Sequence, residues 1–473
     1  MKVLFIYHNR VEDGYMPQSL AILGGMMRDG GIETKLFDTT FYRDKNCPFG
    51  QSDREIRENQ QAGGFKKIEG FDFKREEVDL KEKFREVVES YRPDLVAATS
   101  TSFEFNSLLD FVTPVTREMA IPFMVGGSHA TVVPEKAISK EGVDIICRGE
   151  GEKALLELAR RIEKRKTFYD IPSLWLKNSG GKIIRNRVGA PIEKMDDLPE
   201  SDWDLIDSRH RIRPFEGEIK SYGWFEASRG CPFNCSYCIN SNLHTIEREG
   251  GMHPGTYRFF TAEEIVKRMK KKKDKYGYNH ISLADENMAN MPVSDLEHLA
   301  KLFKDQIGVG FFTQSRPECF VRNPEKAQIM ADMDCKIVGL GVESGNYELR
   351  RTILNRPMKD GIVEEAVANL KKAGIMVAAY YIIGFPNETE EMVKQTIDLH
   401  RRIKPDRFSV RFLHPFPGTP IRDLCVREGY IVEDYEDLKQ DASFFAKPVL
   451  NLPSPPHPTK ERLIELKREF ERY

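Results

Sequence analysis

Cysteine is scarce in this sequence, with eight residues in a chain of 473. That number excludes the dense cross-linking of small secreted disulfide proteins. Three of the eight cysteines, Cys231, Cys235 and Cys238, lie close together, while the others are scattered. A cysteine cluster in an otherwise cysteine-poor chain indicates a metal site in a reducing compartment, so the sequence predicts a cytoplasmic protein.

The sequence also lacks long apolar runs and an excess of charge of one sign. No stretch approaches the ~20 apolar residues of a membrane-spanning helix, so we expect no membrane span. Lys and Arg number 72 against 74 Asp and Glu, and a net charge of -2 gives no basic surface for nucleic acid. The basic run 267–275 closes a predicted helix, where the helix dipole favours cations. We therefore expect a small-molecule substrate and no nucleic acid.

The first part of the chain alternates strand-like and helical patterns. Such alternation predicts an α/β fold in which a parallel sheet carries helices on both faces, a Rossmann-like arrangement. Ligands of such sheets bind beyond the carboxyl ends of the strands. The strand-like runs are Val3–Tyr7, Glu33–Asp38, Asp94–Ala98, Pro122–Val125 and Val143–Cys147.

A second series begins after a connector. Gly180 and Gly181 predict a hairpin between two short strands. Six further strand and helix units then predict a partial barrel, with chemistry at the carboxyl ends of its strands. These strands are Gly223–Ser228, His280–Ala284, Val309–Gln314, Lys336–Gly341, Met376–Ile383 and Arg407–Phe412. The predicted domains are 1–165, a hairpin and linker at 166–220, a barrel at 221–422, and a tail with a helix at 423–473.

The segment Arg229–Cys238, with the sequence RGCPFNCSYC, follows the first barrel strand. Its cysteines are spaced by four and three residues, which lets three thiolates of one short loop face one point. A structural zinc would want four protein ligands. Cluster iron is held by thiolates, so three of them leave one iron for a small molecule. The alternatives are a structural metal knuckle and three unrelated buried thiols.

This spacing resembles the signature of radical S-adenosylmethionine (SAM) enzymes. The resemblance implies that Cys231, Cys235 and Cys238 hold three irons of a 4Fe–4S cluster. The fourth iron would bind the amine and carboxylate of SAM. The aromatic residue before the third cysteine, Tyr237, would lie near the adenine.

Further segments at barrel strand ends resemble motifs of the same family. Asp285 and Glu286 stand where the family has a Gly-Gly-Glu motif that binds the SAM amine. The glycines are missing here, and either carboxylate can accept from an ammonium. Arg316 follows the third strand and could pair with the SAM carboxylate, although a structural ion pair would explain it equally well.

Two later strand ends extend the resemblance. Glu343 and Ser344 match the segment beside the SAM ribose, whose hydroxyls they could bind. Gly384 matches the segment that contacts the adenine, where a glycine allows close backbone approach. These motifs occupy residues 222–422 in the family's order.

The domain order resembles the cobalamin-dependent branch of the radical SAM enzymes. Three loops after strands of the first domain would hold the cofactor. Hydroxyls would bind the nucleotide tail and a glycine pair would let its flat base approach the backbone. The alternative for that pair is a tight turn with a hydroxyl helix cap. The candidate cobalamin residues are Ser100, Ser102, Gly126, Gly127, Ser128 and Glu150.

One motif of other cobalamin proteins is missing. The Asp-x-His-x-x-Gly pattern that supplies a lower axial histidine does not occur in this sequence. Related radical SAM enzymes also lack it. We interpret His129 as a residue that orders its loop rather than as a cobalt ligand.

The resemblance implies a methylase that uses a 4Fe–4S cluster, SAM and cobalamin. It would act on an unactivated carbon, or on phosphorus, of a small-molecule, lipid or tetrapyrrole-type substrate. Flavodoxin or ferredoxin would supply single electrons. The sequence identifies no catalytic side chain, because the cofactors carry the hard chemistry.

Three alternatives remain open. The same domains could cyclise, oxidise or rearrange a substrate without methyl transfer, as in the anaerobic porphyrin ring cyclase. A methylthiotransferase would need extra cluster cysteines in its first domain, where this chain has only Cys47 and Cys147. A non-enzymatic metal-binding or scaffolding protein is the last alternative.

Overall fold

The computed structural model describes residues 1–9, 16–46, 75–434, 447–470 and 472. The strands are β1 (Lys2–Tyr7), β2 (Glu33–Asp38), β3 (Tyr42–Asp44), β4 (Glu76–Val78), β5 (Leu95–Thr99), β6 (Phe123–Gly126), β7 (Ile145–Cys147), β8 (Leu174–Lys177), β9 (Ile183–Arg185), β10 (Ile212–Phe215), β11 (Glu218–Phe225), β12 (Ser228–Arg229), β13 (Arg258–Phe259), β14 (His280–Leu283), β15 (Phe311–Ser315), β16 (Cys335–Glu343), β17 (Met376–Ile383) and β18 (Arg407–Phe412).

The α-helices are α1 (Gln18–Asp29), α2 (Leu80–Tyr91), α3 (Phe105–Glu118), α4 (Ser128–Val132), α5 (Pro134–Ser139), α6 (Glu152–Glu163), α7 (Asn240–Glu249), α8 (Ala262–Tyr276), α9 (Val293–Gln306), α10 (Glu318–Arg322), α11 (Glu325–Asp332), α12 (Tyr347–Thr352), α13 (Ile362–Lys372), α14 (Glu390–Ile403), α15 (Pro420–Arg427) and α16 (Lys460–Phe470). Short 3-10 helices occur at Thr39–Phe41, Met195–Asp197, Ser208–Arg211 and Met288–Asn290.

The first sheet has the strand order β2-β1-β5-β6-β7-β8-β9. Its first five strands are parallel, in the doubly wound order of flavodoxin-like folds. The interior strand β1 buries Val3, Leu4, Phe5 and Ile6 completely. A continuous apolar run of this kind is typical of a parallel strand that is covered on both faces. All five predicted strands are present.

The predicted hairpin at Gly180 and Gly181 is also present, because β8 and β9 are antiparallel. It joins the first sheet by pairing β8 antiparallel with β7. A pairing partner so far away in sequence leaves no local signal, so the sequence did not indicate this extension of the sheet.

The second sheet has the order β10-β11-β14-β15-β16-β17-β18. From β11 to β18 all neighbours are parallel and follow chain order, so the sheet forms an open half-barrel. A large apolar core fills the space between these strands and their helices. The predicted α/β fold with a partial six-unit barrel is confirmed.

The tail packs against the last barrel units. The predicted helix of the tail is α16, and its Leu463, Leu466 and Phe470 belong to the barrel core. Residues 435–446 of the predicted tail lie outside the described part of the chain. Among the described residues, no helix is long and apolar enough to cross a membrane.

Candidate functional site

A cavity of about 450 Å³ lies between the two sheets. Loops at the carboxyl ends of first-sheet strands form one wall, and loops of the half-barrel form the other. Ligands of both fold types bind at these edges. The polar and glycine residues that line the first wall include Gln18, Ser19, Thr99, Gly126, Gly127, Ser128, Thr131, Gly149, Glu150, Gly151 and Glu152. The barrel wall includes Glu226, Arg229, Gly230, Cys231, Asn240, His244, Glu247, Arg258 and Glu286.

The cysteine loop forms part of the barrel wall and begins at a strained turn. Gly230 has φ +96°, and a Cβ atom there would lie 2.3 Å from the carbonyl oxygen of Thr256. Only glycine fits this position. The loop therefore leaves β12 in the direction that brings Cys231 to the cavity.

The segment 353–355 holds the cysteine loop from behind. The Ser236 amide donates to the carbonyl of Leu354 at 3.0 Å, and the Asn355 side chain donates to the carbonyl of Asn234 at 2.7 Å. Main-chain hydrogen bonds of this kind fix the loop independently of its thiols. The loop is thus preformed in the chain itself.

The three cysteines of the loop are free thiols. Burial raises the pKa of Cys238 to about 12, and the nearby thiols of Cys235 and Cys231 add to the rise. Within the described ranges, no three His, Cys, Asp or Glu side chains lie close enough to share one metal ion. An iron–sulfur cluster needs no such shared point, because each thiolate binds a different iron of the cluster.

Two family descriptions match the two halves of the site. Residues 225–400, which contain the cysteine loop, match the radical SAM superfamily. Residues 61–159, which contain the strand-end loops of the other cavity wall, match the B12-binding domain. The chain belongs to the cobalamin-dependent radical SAM enzymes. Enzymes of this branch use a 4Fe–4S cluster, SAM and cobalamin.

Known relatives agree with this assignment. One is the uncharacterized methyltransferase PH0819 of Pyrococcus horikoshii, which is 24% identical over 351 residues, 73% of this chain and 72% of that protein. Another is the anaerobic magnesium-protoporphyrin IX monomethyl ester cyclase of Rubrivivax gelatinosus, 23% identical over 464 residues, 95% of this chain and 73% of the relative.

A solved structure shows the same fold. It is the radical S-adenosylmethionine methyltransferase TsrM from Kitasatospora setae, with tryptophan substrate and a SAM analog bound. The TM-score is 0.66 at 18% identity, over 90% of this chain and 76% of that chain.

The residues of this radical SAM enzyme fit the cofactors of its family. Three free thiols on one preformed loop supply the donor set for cluster iron. One of them, Cys231, lines a cavity whose opposite wall is the carboxyl edge of the B12-binding sheet. A cofactor bound to either edge would face the other.

The two adjacent carboxylates at 285 and 286 have different surroundings. Asp285 is buried, its carboxylate accepts from the Ser228 hydroxyl and the Ala227 amide, and burial raises its pKa to about 7. Glu286 is accessible and lines the cavity. Enclosure by the surrounding protein also raises the pKa of Glu286. Glu286 is the carboxylate that a ligand could reach.

Two further predicted SAM residues, Glu343 and Tyr237, lie next to each other. Glu343 ends β16 at an irregular pairing with β17 and has φ +67°, a conformation that is rare outside glycine. Burial raises the pKa of Glu343, while Arg356 and the Tyr237 hydroxyl oppose the rise. The rings of Tyr237 and Phe385 meet edge to face at 6.3 Å. The structure thus brings Tyr237 next to the segment of Gly384.

Arg316 lies against the cysteine loop. Its Nη1 donates to the Sγ of Cys235 at 3.3 Å, and its guanidinium lies 3.6 Å from the ring centre of Phe233. The same side chain forms an ion pair with Glu318. The hydrogen bond and ion pair place Arg316 beside the expected cluster, while its pairing with the SAM carboxylate stays a prediction.

Ser344 and Gly384 are further from the cavity. Ser344 is completely buried, and its hydroxyl lies 3.4 Å from that of Thr396. Gly384 has φ +85°, and its amide donates to the Glu388 carboxylate at 2.6 Å. Their predicted contacts with SAM remain predictions.

The candidate cobalamin residues divide into two groups. Gly126, Gly127, Ser128 and Glu150 line the cavity. Ser100 is buried, and its hydroxyl donates to the carbonyl of Thr101 at 2.9 Å. Ser102 pairs at 2.9 Å with Nδ1 of His129. The described cavity lining contains neither Ser100 nor Ser102, and their predicted contacts with cobalamin stay predictions.

The position of His129 agrees with its interpretation as a residue that orders its loop. Its ring stacks on Phe105 with the ring centres 4.1 Å apart. The cavity lining includes a different histidine, His244, whose Nε2 lies 2.8 Å from the carbonyl oxygen of Cys231.

Sequence reasoning missed several charged residues at the site. Arg356 is 3% exposed, bonds to the carbonyl of Gly341 and has no motif signal of its own. Arg229 opens the quoted cysteine segment, and Glu152 stands two residues after the candidate Glu150. The 2.9 Å bond between them crosses from one domain to the other. Only the tertiary structure shows that contact.

Proposed function

We propose that this enzyme methylates an unactivated carbon, or a phosphorus, of a small-molecule, lipid or tetrapyrrole-type substrate. One observation carries the proposal. Cys231 of the cluster loop and Gly126 of the B12-binding sheet line the same cavity. Methylation by a radical route needs hydrogen abstraction and methyl delivery at one substrate atom, and a shared cavity permits both.

When bound, the cluster and SAM would supply a radical and cobalamin would supply a methyl group. The protein's own residues would bind and orient them. The thiolates of Cys231, Cys235 and Cys238 would hold iron, and Glu286 would accept from the SAM ammonium. The position of the cavity between two sheets would limit the access of water to a reactive intermediate.

The names of the relatives support methyl transfer, and one of them supports a second candidate function. PH0819 and TsrM carry the name methyltransferase. The relative that aligns over 95% of this chain is a cyclase. A cobalamin-dependent cyclase, oxidase or rearranging enzyme is therefore the alternative.

The test starts from protein reconstituted anaerobically with iron, sulfide and hydroxocobalamin, then reduced with flavodoxin or ferredoxin. SAM with a deuterated methyl group is added. We expect release of 5′-deoxyadenosine and transfer of the deuterated methyl group to the bound cobalamin. Formation of 5′-deoxyadenosine without any methyl label on cobalamin would favour the alternative. A protein reductant of this type and a cytoplasmic location belong to the same proposal.

A further inference from the structure

Arg229 lies two positions before the first cluster cysteine and binds carboxylates from both domains. Its Nη1 donates to Glu152 of the first domain at 2.9 Å and lies 3.4 Å from Glu150. Its Nε and Nη2 donate to the two carboxylate oxygens of Glu226 at 3.0 and 3.1 Å. A planar guanidinium can bind two carboxylates at once in a fixed orientation. Arg229 is therefore held from both sides of the cavity.

Arg258 forms a second link between the two domains. Its Nη2 lies 2.7 Å from Oε1 of Glu150, and its Nη1 donates to the carbonyl of Ile192 at 2.5 Å. The Ile192 amide donates back to Oε2 of Glu150 at 2.8 Å. Arg258 is also the strand partner of Arg229 in the β12–β13 pair. The interdomain charge cluster, as we name it, consists of Glu150, Glu152, Glu226, Arg229 and Arg258.

The cluster members are poorly exposed. The Glu152 and Arg258 side chains are each 7% exposed, and the Arg229 side chain is 16% exposed. Buried ion pairs add little net stability, because the loss of hydration offsets their attraction, and their best-attested use is to fix the register of packed parts. The parts joined here are the loop after β7 and the loop that carries Cys231.

We propose that Glu150 and Glu152 are positioning residues, which set the cluster loop at a fixed distance from the cobalamin edge by holding Arg229. Both oxygens of Glu150 are already bound to protein groups. Glu150 thus acts through Arg229 and Arg258, and its predicted contact with cobalamin stays a prediction. The inference rests on both cofactors binding, and is independent of whether the substrate is methylated.

The experiment compares wild type, Glu152→Gln and Arg229→Lys, each reconstituted with iron, sulfide and hydroxocobalamin. Iron and cobalamin contents are measured first. The spin relaxation of cob(II)alamin is then recorded by electron paramagnetic resonance with the cluster oxidised and reduced. A paramagnetic cluster accelerates that relaxation in a strongly distance-dependent way, so this signal reports the separation of the two cofactors without turnover.

In wild type we expect a uniform acceleration when the cluster is reduced. We expect Glu152→Gln to keep both cofactors but to lose that uniform acceleration. The rate of 5′-deoxyadenosine release should fall roughly tenfold or more, since a misplacement of about 1 Å can cost ~100-fold. Arg229→Lys keeps the charge without the bidentate fork and should retain part of both signals.

The matched control is Glu249→Gln. Glu249 pairs with Arg148 across the same domain boundary at 3.2 Å, is 41% exposed and does not line the cavity. It should match wild type in every measurement. Wild-type relaxation in Glu152→Gln, or an equal loss in Glu249→Gln, would overturn the proposal. Loss of cobalamin or iron from Glu152→Gln would also overturn the proposal. So would a wild type that binds no cobalamin.

The proposed methyl transfer is judged separately, by the deuterated methyl label on cobalamin.

Discussion

The guanidinium of Arg316 donates a hydrogen bond to the Sγ of Cys235 across 3.3 Å. The two residues are 81 positions apart, and Cys235 is the middle cysteine of the predicted cluster loop. Hydrogen bonds to cluster sulfurs and local charge set the reduction potential of iron–sulfur clusters. This contact therefore connects a barrel strand end to the electronic properties of the expected cluster.

Removing that contact should make the cluster harder to reduce. In Arg316→Gln the cation is lost and any remaining hydrogen bond to sulfur is neutral. We expect a fall in potential of about 60 mV, the one-electron equivalent of roughly 1.4 kcal/mol, close to the value of a hydrogen bond to a charged group. A potentiometric titration followed by electron paramagnetic resonance measures it. Arg322→Gln, at an exposed position, is the control, and an unchanged potential in Arg316→Gln would contradict the assignment.

Cys235→Ala should abolish cluster assembly, because two thiolates leave the cluster under-ligated. Iron and sulfide contents and the broad cluster absorption should fall to background, together with SAM cleavage. Cys425→Ala is the control, since Cys425 is a buried cysteine outside the cysteine loop, in the apolar cluster against which Tyr237 packs. Full SAM cleavage by Cys235→Ala would refute the cluster assignment.

Glu286→Gln should weaken SAM binding while the cluster is retained. A neutral amide loses the charged hydrogen bond to the SAM ammonium, so we expect the Kd to rise about tenfold, equivalent to roughly 1.4 kcal/mol. The shift of the cluster's paramagnetic resonance signal on addition of SAM measures the Kd.

Asp285→Asn tests whether Glu286, rather than its neighbour Asp285, binds the SAM ammonium. Asp285 accepts from Ser228 and Ala227 beneath the cavity, so its loss should lower the unfolding temperature of the whole domain. A selective loss of SAM affinity at normal stability in Asp285→Asn would show that the wrong carboxylate was chosen.

Gly127→Ala should release cobalamin and leave the iron content unchanged. Gly127 has φ +89°, and a Cβ atom would lie within 2.8 Å of Thr99 Oγ1 and of the Ser100 backbone. The strained conformation alone costs about 1–3 kcal/mol, and the clash must displace the loop. Gly181→Ala is the control because Gly181 has φ +76° with nothing within 4 Å of a Cβ atom. Cobalamin retained after desalting is the measurement, and equal retention in both variants would contradict the site.

Glu388 should make the stability of the protein depend on pH. This side chain is completely buried, and burial raises its pKa to about 8, although the Phe385 and Gly384 amides oppose the rise. A raised pKa means that the folded protein binds more protons than the unfolded chain. The stabilisation is complete below the ordinary pKa of 4.5 and is lost as the pH rises to about 8.

Glu388→Gln removes this titration and keeps an acceptor for the two amides. Between pH 6 and 8 the wild type should lose up to about 1.4 kcal/mol per pH unit relative to the variant. Thermal unfolding of the protein without cofactors at both pH values measures the difference. Glu391→Gln, at an exposed position of α14, the helix that begins two residues after Glu388, should follow wild type. Parallel pH dependence of Glu388→Gln and wild type would show that the group does not titrate in this range.

Local patterns in the sequence determined the two alternating series, the hairpin and the cysteine loop. Each depends on neighbours a few positions apart: the apolar run of β1, the glycine pair at 180 and 181, the spacing of Cys231, Cys235 and Cys238. Periodicity and ligand spacing within one short segment do not require the rest of the fold, so they can be predicted without it.

Tertiary structure alone decided which side chains meet. Asp285 and Glu286 are adjacent and chemically equivalent, and the turn after β14 sends only Glu286 into the cavity. Arg229 and Glu152 are 77 positions apart, and the contact exists because two separate sheets present their carboxyl edges to each other. Side-chain direction at a strand end and partner choice between domains are set by packing, which no local pattern encodes.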